Sequence, residues 1–219
     1  MKKIFIFVLF YMFVLNCVFS QAGIIRELTG EVELKRAGST AFVRASAGDT
    51  VSANTIISTG FRSTAVIAVG SALITVRPLT RLTLAEIQSA ENTENINVNL
   101  QAGRVRVDVN PPAGTRTNMS VQSPSATASV RGTSFEMDID NVSVTEGRVV
   151  FNGTAGPPVM VTAGNESMVT ANGTPANPPE VAVSSLTPAS PVGAPSPETV
   201  TQAPESVSEG VIVLDMFYE

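Results

Sequence analysis

From Ile24 to Thr170 the chain alternates apolar and polar residues with a period of two. Val32 and Leu34 alternate with Glu31, Glu33 and Lys35, and Val105, Val107 and Val109 alternate with Arg104, Arg106 and Asp108. Phe135, Met137 and Ile139 alternate with Glu136, Asp138 and Asp140; Val142 and Val144 alternate with Ser143 and Thr145. A strand points successive side chains to opposite faces, so this pattern predicts half-buried strands. Turn signals recur at Gly48-Asp49, Thr59-Gly60, Val69-Gly70-Ser71, Ala102-Gly103, Glu146-Gly147, Asn152-Gly153 and Ala163-Gly164. No segment reads as a convincing helix; the nearest, Leu84 to Asn92, has flanks that favour a loop or one short turn. Roughly a dozen short strands predict an all-β domain, sandwich or β-helix/solenoid-like. The strand–glycine turn–strand unit has no strict period, which leaves both architectures open.

The pattern breaks at both ends. Residues 1–22 place Lys2 and Lys3 before an unbroken apolar run from Ile4 to Leu15, followed by the small residues Ser20 and Ala22. This is the layout of a secretory signal peptide, and the run is shorter than the roughly 18–20 residues that span a bilayer. Val14-Leu15-Asn16-Cys17 also loosely resembles a lipobox, which makes Cys17 a candidate lipidation site. The predicted domain then occupies residues 23–172. Residues 173–209 hold eight of the fourteen prolines among Ser, Thr, Ala and Glu, a composition that predicts a disordered linker. Residues 210–219 form a short apolar segment with strand character. Its Val211, Val213, Leu214, Phe217 and Tyr218 are candidates for pairing with the protein's own sheet edge or with a partner.

Composition narrows the chemistry. Among 219 residues there is no histidine, no tryptophan and one cysteine. Ser-His-Asp and Cys-His pairs, histidine-bearing zinc sites and histidine proton relays are therefore impossible. The expectation is a non-enzymatic protein without a cofactor or metal. The formal charge of −5 and a pI near 4.9 lack the basic footprint of a nucleic-acid binder. Between Gly23 and Thr170 twelve basic residues meet thirteen acidic ones, so the negative charge lies in the tail. If Cys17 leaves with the leader, the mature chain has no thiol and depends on packing and backbone pairing alone.

Candidate sites in the domain are few. Asp138 and Asp140, with Glu136, are expected to share one strand face as ordinary solvated carboxylates, since the calcium spacing D-x-D-x-D-G only begins there. The central region keeps only Phe42, Phe61, Phe135 and Phe151 as aromatics, and these are expected to fill the core. Without exposed Trp or Tyr, a glycan site would rest on hydrogen bonds alone. The sequons at Asn118, Asn141, Asn152, Asn165 and Asn172 read as coincidence in a chain rich in Asn, Ser and Thr.

Several of these segments resemble a known family. Ala47-Gly48-Asp49-Thr50-Val51, Thr55 to Gly60, and Ser63 to Val69 resemble the first half of the FecR domain, and Gly70 to Val76 with Pro78, Thr80 and Leu82 continue it. Leu100 to Val105 resembles its middle strand pair. The most specific match is Val130-Arg131-Gly132-Thr133-Ser134-Phe135, followed by Val142-Ser143-Val144-Thr145-Glu146-Gly147-Arg148-Val149. Phe42 stands where the family often has tryptophan, and Val69-Gly70-Ser71 replaces its usual Asp-Gly-Ser turn.

The resemblance implies an envelope-located β domain used for protein contact or sensing. Only about 20 residues precede the domain and they read as a leader, so relay to a sigma factor is not part of what it implies. Within the motif, Gly132 suits a bulge or a positive φ, Thr133 a local hydrogen bond, and Arg131 an ion pair with a carboxylate such as Glu146. Arg131, Gly132, Thr133, Phe135, Glu146 and Gly147 are thus read as structural. The expected protein is exported, periplasmic or envelope-associated, with another envelope protein as partner, no nucleic acid, and membrane contact only through the leader or a lipid on Cys17. Two alternatives stay open: a wall or surface protein that binds glycan or is anchored by lipid, and a periplasmic component of a FecR-type signalling pathway.

Overall fold

The computed structural model describes residues 22–90 and 92–178, and all of its elements are strands. The chain opens with β1 (Gly23–Thr29) in a first sheet and passes to β2 (Val32–Lys35) and β3 (Val43–Arg44) in a second. It returns to the first with β4 (Thr50–Val51) and crosses again with β5 (Thr55–Thr59). Hairpins then alternate between the sheets: β6 (Thr64–Val69) and β7 (Ala72–Val76) in the first, β8 (Arg81–Ala90) and β9 (Thr93–Ala102) in the second. The single strand β10 (Val105–Val109) lies in the first sheet, β11 (Arg116–Gln122) and β12 (Ala126–Val130) in the second. The first sheet takes β13 (Ser134–Met137) and β14 (Asn141–Glu146), the second β15 (Arg148–Gly153) and β16 (Val159–Thr162), and β17 (Glu166–Met168) closes in the first.

Both sheets are open, with orders β17-β14-β13-β10-β7-β6-β1-β4 and β16-β15-β12-β11-β9-β8-β5-β2-β3. Neighbouring strands are antiparallel except β9 and β11, which run parallel. That exception follows from the path: β10 carries the chain through the opposite sheet, so the next strand re-enters in the original direction.

The period of two builds the core directly. Ile25, Ile67, Ile74, Val107 and Phe135 from the first sheet join Leu34, Ile57, Leu82, Val98, Val121 and Phe151 from the second in one buried apolar cluster. The all-β expectation thus takes the form of two sheets closed on a shared apolar layer. Phe135 and Phe151 are 1% and 0% exposed, and burying each ring is worth about 1.5–3 kcal/mol.

Four expectations need correction in the fold. Leu84 to Asn92 is no loop: β8 continues to Ala90 and β9 begins at Thr93. The period was hidden by a bulge between Leu84 and Glu86. Leu82 and Leu84 are buried, whereas beyond the bulge it is Ile87 that packs against the core. Asn152-Gly153 is not a turn and ends β15. Phe42 and Phe61 stay out of the core, at 37% and 72% exposure. Phe42 sits in the loop before β3, where Lys35 and Arg81 lie 5.9 and 5.7 Å from its ring centre. Phe61 follows the turn glycine Gly60, with the Arg62 guanidinium 5.3 Å from its ring. The leader with Cys17 and the C-terminal segment lie outside the described residues, as does the linker beyond residue 178.

One polar contact ties the sheets at the end of the core. Glu94, the second residue of β9, lies beside Thr117 of β11, and its Oε2 reaches the β6–β7 turn of the other sheet. It accepts the Ser71 backbone N–H at 3.0 Å, the Ser71 hydroxyl at 2.7 Å and the Thr117 hydroxyl at 3.0 Å. Gly70 makes room: it holds φ +54, and a Cβ there would stand 2.7–2.8 Å from the Glu94 carboxyl. Partial burial pushes the carboxyl's pKa up, but the three hydrogen bonds outweigh it and hold the group below its ordinary value. A carboxylate so held stabilises the fold above its unfolded-state pKa, and that contribution is lost as pH falls through the folded-state value. Urea unfolding of Glu94→Gln is therefore expected to show lower stability at pH 7 and a smaller fall between pH 7 and acid than the parent. Equal pH dependence in the two proteins would refute the clasp.

Candidate functional site

A sandwich of half-buried strands leaves two outer faces, and in this chain they differ in kind. On the first sheet the charges around β10 and β13 answer one another. Arg77 donates to Glu136 at 2.7 Å, and Arg104 bridges Glu136 at 3.5 Å and Asp138 at 3.0 Å. Arg106 meets Asp108 at 3.3 Å, and that hydrogen bond and charge raise the pKa of Arg106 above its usual value. Glu136 stands directly opposite Arg106 in the β10–β13 register, so the acidic row is interleaved with a basic one.

The expected strand face of Glu136, Asp138 and Asp140 is corrected here. β13 ends at Met137, and Asp138 opens a turn in which its Oδ1 accepts the backbone N–H groups of Asp140 and Asn141 at 3.3 and 2.9 Å. Such a side-chain turn competes with strand extension. Among the described residues no group of three or more Cys, His, Asp or Glu side chains is arranged to hold a metal.

The second sheet presents an open groove of about 860 Å³. The parallel register sets Asn118 beside Asn95, Ser120 beside Asn97 and Gln122 beside Asn99. The inward partners of these rows, Ile96 with Met119 and Val98 with Val121, belong to the core. The amides link across the strands: Asn118 Nδ2 donates to Asn95 Oδ1 at 2.9 Å, and Asn97 Nδ2 donates to Glu86 Oε2 at 2.5 Å. The β8 bulge gives Glu86 and Gln88 their place opposite Asn97 and Asn95. The opposite wall carries Ser129, Arg131, Arg148 and Val150.

Arg131 and Arg148 each lie one step beyond the paired residues Val130 and Val149, on adjacent strands. Both are exposed, and among the described residues no ion pair or hydrogen bond engages either guanidinium. The ion pair suggested between Arg131 and Glu146 does not form. Its two residues belong to different crossings, with Arg131 turned into the groove of one sheet and Glu146 ending β14 in the other.

The remaining motif residues lie where the chain changes sheets. Arg131-Gly132-Thr133 carries it from β12 to β13, and Gly147 carries it back from β14 to β15. Gly132 and Gly147 hold φ +64 and +78. Thr133 is buried, its hydroxyl donates to the Arg148 carbonyl at 3.1 Å, and its carbonyl accepts the Val109 N–H at 3.0 Å. A Cβ on Gly147 would stand 2.9 Å from the Thr133 hydroxyl and 3.1 Å from the Gly132 carbonyl. The two crossings therefore pack on each other, and Phe135 leads directly from them into the core. Cys17, Val211, Val213, Leu214, Phe217 and Tyr218 lie outside the described residues.

Sequence reasoning did not assemble the groove. Its signal was present in the run Asn95-Ile96-Asn97-Val98-Asn99, whose polar positions are all amides and not the usual mixture of strand surfaces. The partner row on β11 is visible only once the parallel register is known.

Two measurements follow. Gly164 also holds a positive φ, +79, but a Cβ there meets nothing within 4 Å. Gly164→Ala is expected to cost about 1–2 kcal/mol from backbone strain alone, and Gly147→Ala about 2–4 kcal/mol once overpacking against Thr133 is added. Arg104→Ala, which removes an arginine whose side chain is 54% exposed, is expected to change stability by less than about 1 kcal/mol. Denaturant midpoints check all three.

Comparison with known proteins places this geometry. Residues 55–156 match the family model described as FecR protein, a span that contains the groove strands from β8 to β15 and both crossings. Two crystal structures of a candidate anti-sigma factor from Parabacteroides distasonis ATCC 8503 align with 16% identity and a TM-score of 0.45. The alignments cover 58% of this chain and 62% of that one, so the match spans about three fifths of the solved protein. No curated protein matches the chain.

Proposed function

We propose that the chain, whose residues 55–156 match the FecR protein family model, is an exported, non-enzymatic sensing and binding module of the bacterial envelope. The outer face of the second sheet is its recognition surface. The observation that carries this reading is the contrast between the two outer faces. Around β10 and β13 of the first sheet, Arg77, Arg104 and Arg106 are met by Glu136, Asp138 and Asp108 at 2.7–3.5 Å. On the second, Arg131 and Arg148 stand side by side without partners among the described residues, at the edge of an amide-lined groove. Hydrogen-bonding groups on a rigid sheet are already oriented, so a ligand meets them with little ordering cost.

A binding role also suits the composition, because a chain without histidine and with one cysteine has few groups able to act as base or nucleophile near neutral pH. Export is supported by the leader-like residues 1–22. The family match favours a second and compatible reading, in which the module reports occupancy to a membrane partner as part of a FecR-type signalling pathway.

Amide hydrogen exchange on the full chain tests the assignment of the recognition face. With solubilised envelope from its own host present, exchange is expected to slow at residues 95–99 and 118–122. Protection confined to residues 134–146 of the first sheet would sink the assignment.

A further inference from the structure

The same groove has a composition that selects a ligand class, and this step rests on the second sheet being the recognition face. We propose that it binds an anionic saccharide chain, with Arg131 and Arg148 receiving a carboxylate or phosphate and the amide rows receiving ring hydroxyls.

The charge argument comes from the two arginines. They extend neighbouring strands beyond the Val130–Val149 pair and both line the groove. Cross-strand neighbours of like charge repel, and this fold supplies no carboxylate to relieve them. Arg77, Arg104 and Arg106, clustered on and beside β10 of the other sheet, each have an acidic partner within 3.5 Å. A pair of guanidinium forks left open in this way fits a bidentate anion. Glu86 stands on the opposite wall, already accepting from Asn97, so the anion is directed to one end of the groove.

The polar argument comes from the amides. A sugar hydroxyl both donates and accepts, and an Asn or Gln side chain offers both functions from one group. Asn95 has its Nδ2 and Asn118 its Oδ1 left over after their mutual bond, and Asn97 has its Oδ1 left over after Glu86. Ser120, Ser129 and Gln88 add further groups with no side-chain partner among the described residues. Adjacent strands space these rows by about 4.8 Å, close to the length of one pyranose ring.

An acidic peptide is the competing ligand, and the groove suits it less well. An extended peptide draws much of its affinity from apolar side chains seated in pockets. Of the apolar residues that line this groove, Met119 and Val130 are buried in the core, which leaves Val150, 37% exposed, as the main apolar contact. No aromatic residue lines the groove, so ring stacking adds nothing there, and affinity depends on the arginines and is sensitive to salt.

Calorimetric titration of the full chain decides the matter, with four probes of matched length: an oligogalacturonate, a phosphorylated oligosaccharide, a neutral maltooligosaccharide and an oligoglutamate. Binding is expected for one or both anionic saccharides, weakened at high ionic strength, with the first two probes separating a carboxylate from a phosphate source. Arg131→Gln with Arg148→Gln is expected to weaken that binding about tenfold or more. The thermal midpoint should stay unchanged, since neither guanidinium contacts the fold. Arg36→Ala with Arg44→Ala removes the same charge at exposed positions outside the groove and is expected to leave binding intact. Anionic and neutral sugars binding alike, oligoglutamate binding as tightly, or an equal loss in the control pair would each overturn the proposal. Exchange protection on β9 and β11 with none of the saccharides bound would overturn it too, and would leave the recognition face itself standing.

Discussion

Each strand of this domain has one apolar side, and one apolar side can be covered only by another sheet. That constraint governs the rest of the structure. With a single cysteine the chain can form no internal disulfide, and the two sheets remain together because Ile25, Ile67, Val107 and Phe135 share a layer with Leu34, Ile57, Val98 and Phe151. The hairpins must then alternate between sheets as the chain advances, so every few strands the backbone has to cross the edge of the core. The crossings are where its special residues collect. Gly132 and Gly147 take positive φ there, and Thr133 joins the two crossings through its hydroxyl; within the first sheet, the β6–β7 hairpin turn at Gly70 and Ser71 receives Glu94 from the opposite sheet.

What the amino-acid pattern revealed and what it hid follow from the same constraint. Alternation is a local signal, and Val105, Val107, Val109, Val142 and Val144 could be placed on the buried face from the chain alone. A bulge interrupts the alternation without ending the strand, which is why Leu84 to Asn92 read as a loop although β8 continues through it to Ala90. Asp138 looked like a strand residue because alternation cannot register a side chain that caps a turn. Phe42 and Phe61 were assigned to the core by residue type. Hydrophobicity alone does not distinguish a buried ring from one that sits under a cation at a turn.

The groove was the least legible feature because it depends on pairing between strands distant in sequence. Asn95 meets Asn118 only through the parallel register that the β10 excursion creates. Arg131 was visible as part of a motif and was given a structural role with Glu146. In the fold its neighbours Gly132 and Thr133 form the crossing, while the arginine itself projects into the groove. One short segment thus serves two ends: its backbone turns the chain between sheets, and its side chain furnishes the edge of the polar surface.

This coupling would let a domain with so few reactive groups be selective in the proposed binding role. The inner faces are committed to packing, and substitutions there alter stability before they alter binding. Around β10 and β13 the outer face of the first sheet is committed to its own ion pairs. The outer face of the second sheet gathers unpaired donors, acceptors and charge into one groove, on strands whose opposite side is locked into the core. Its side chains are held in register by the residues beneath them, Ile96 and Val98 under the amides of β9, and Met119 and Val121 under those of β11. A ligand there needs no rearrangement of the backbone, and a change in that surface need not disturb the layer that holds the sheets together. The proposed recognition and the observed stability therefore fall on opposite faces of the same strands.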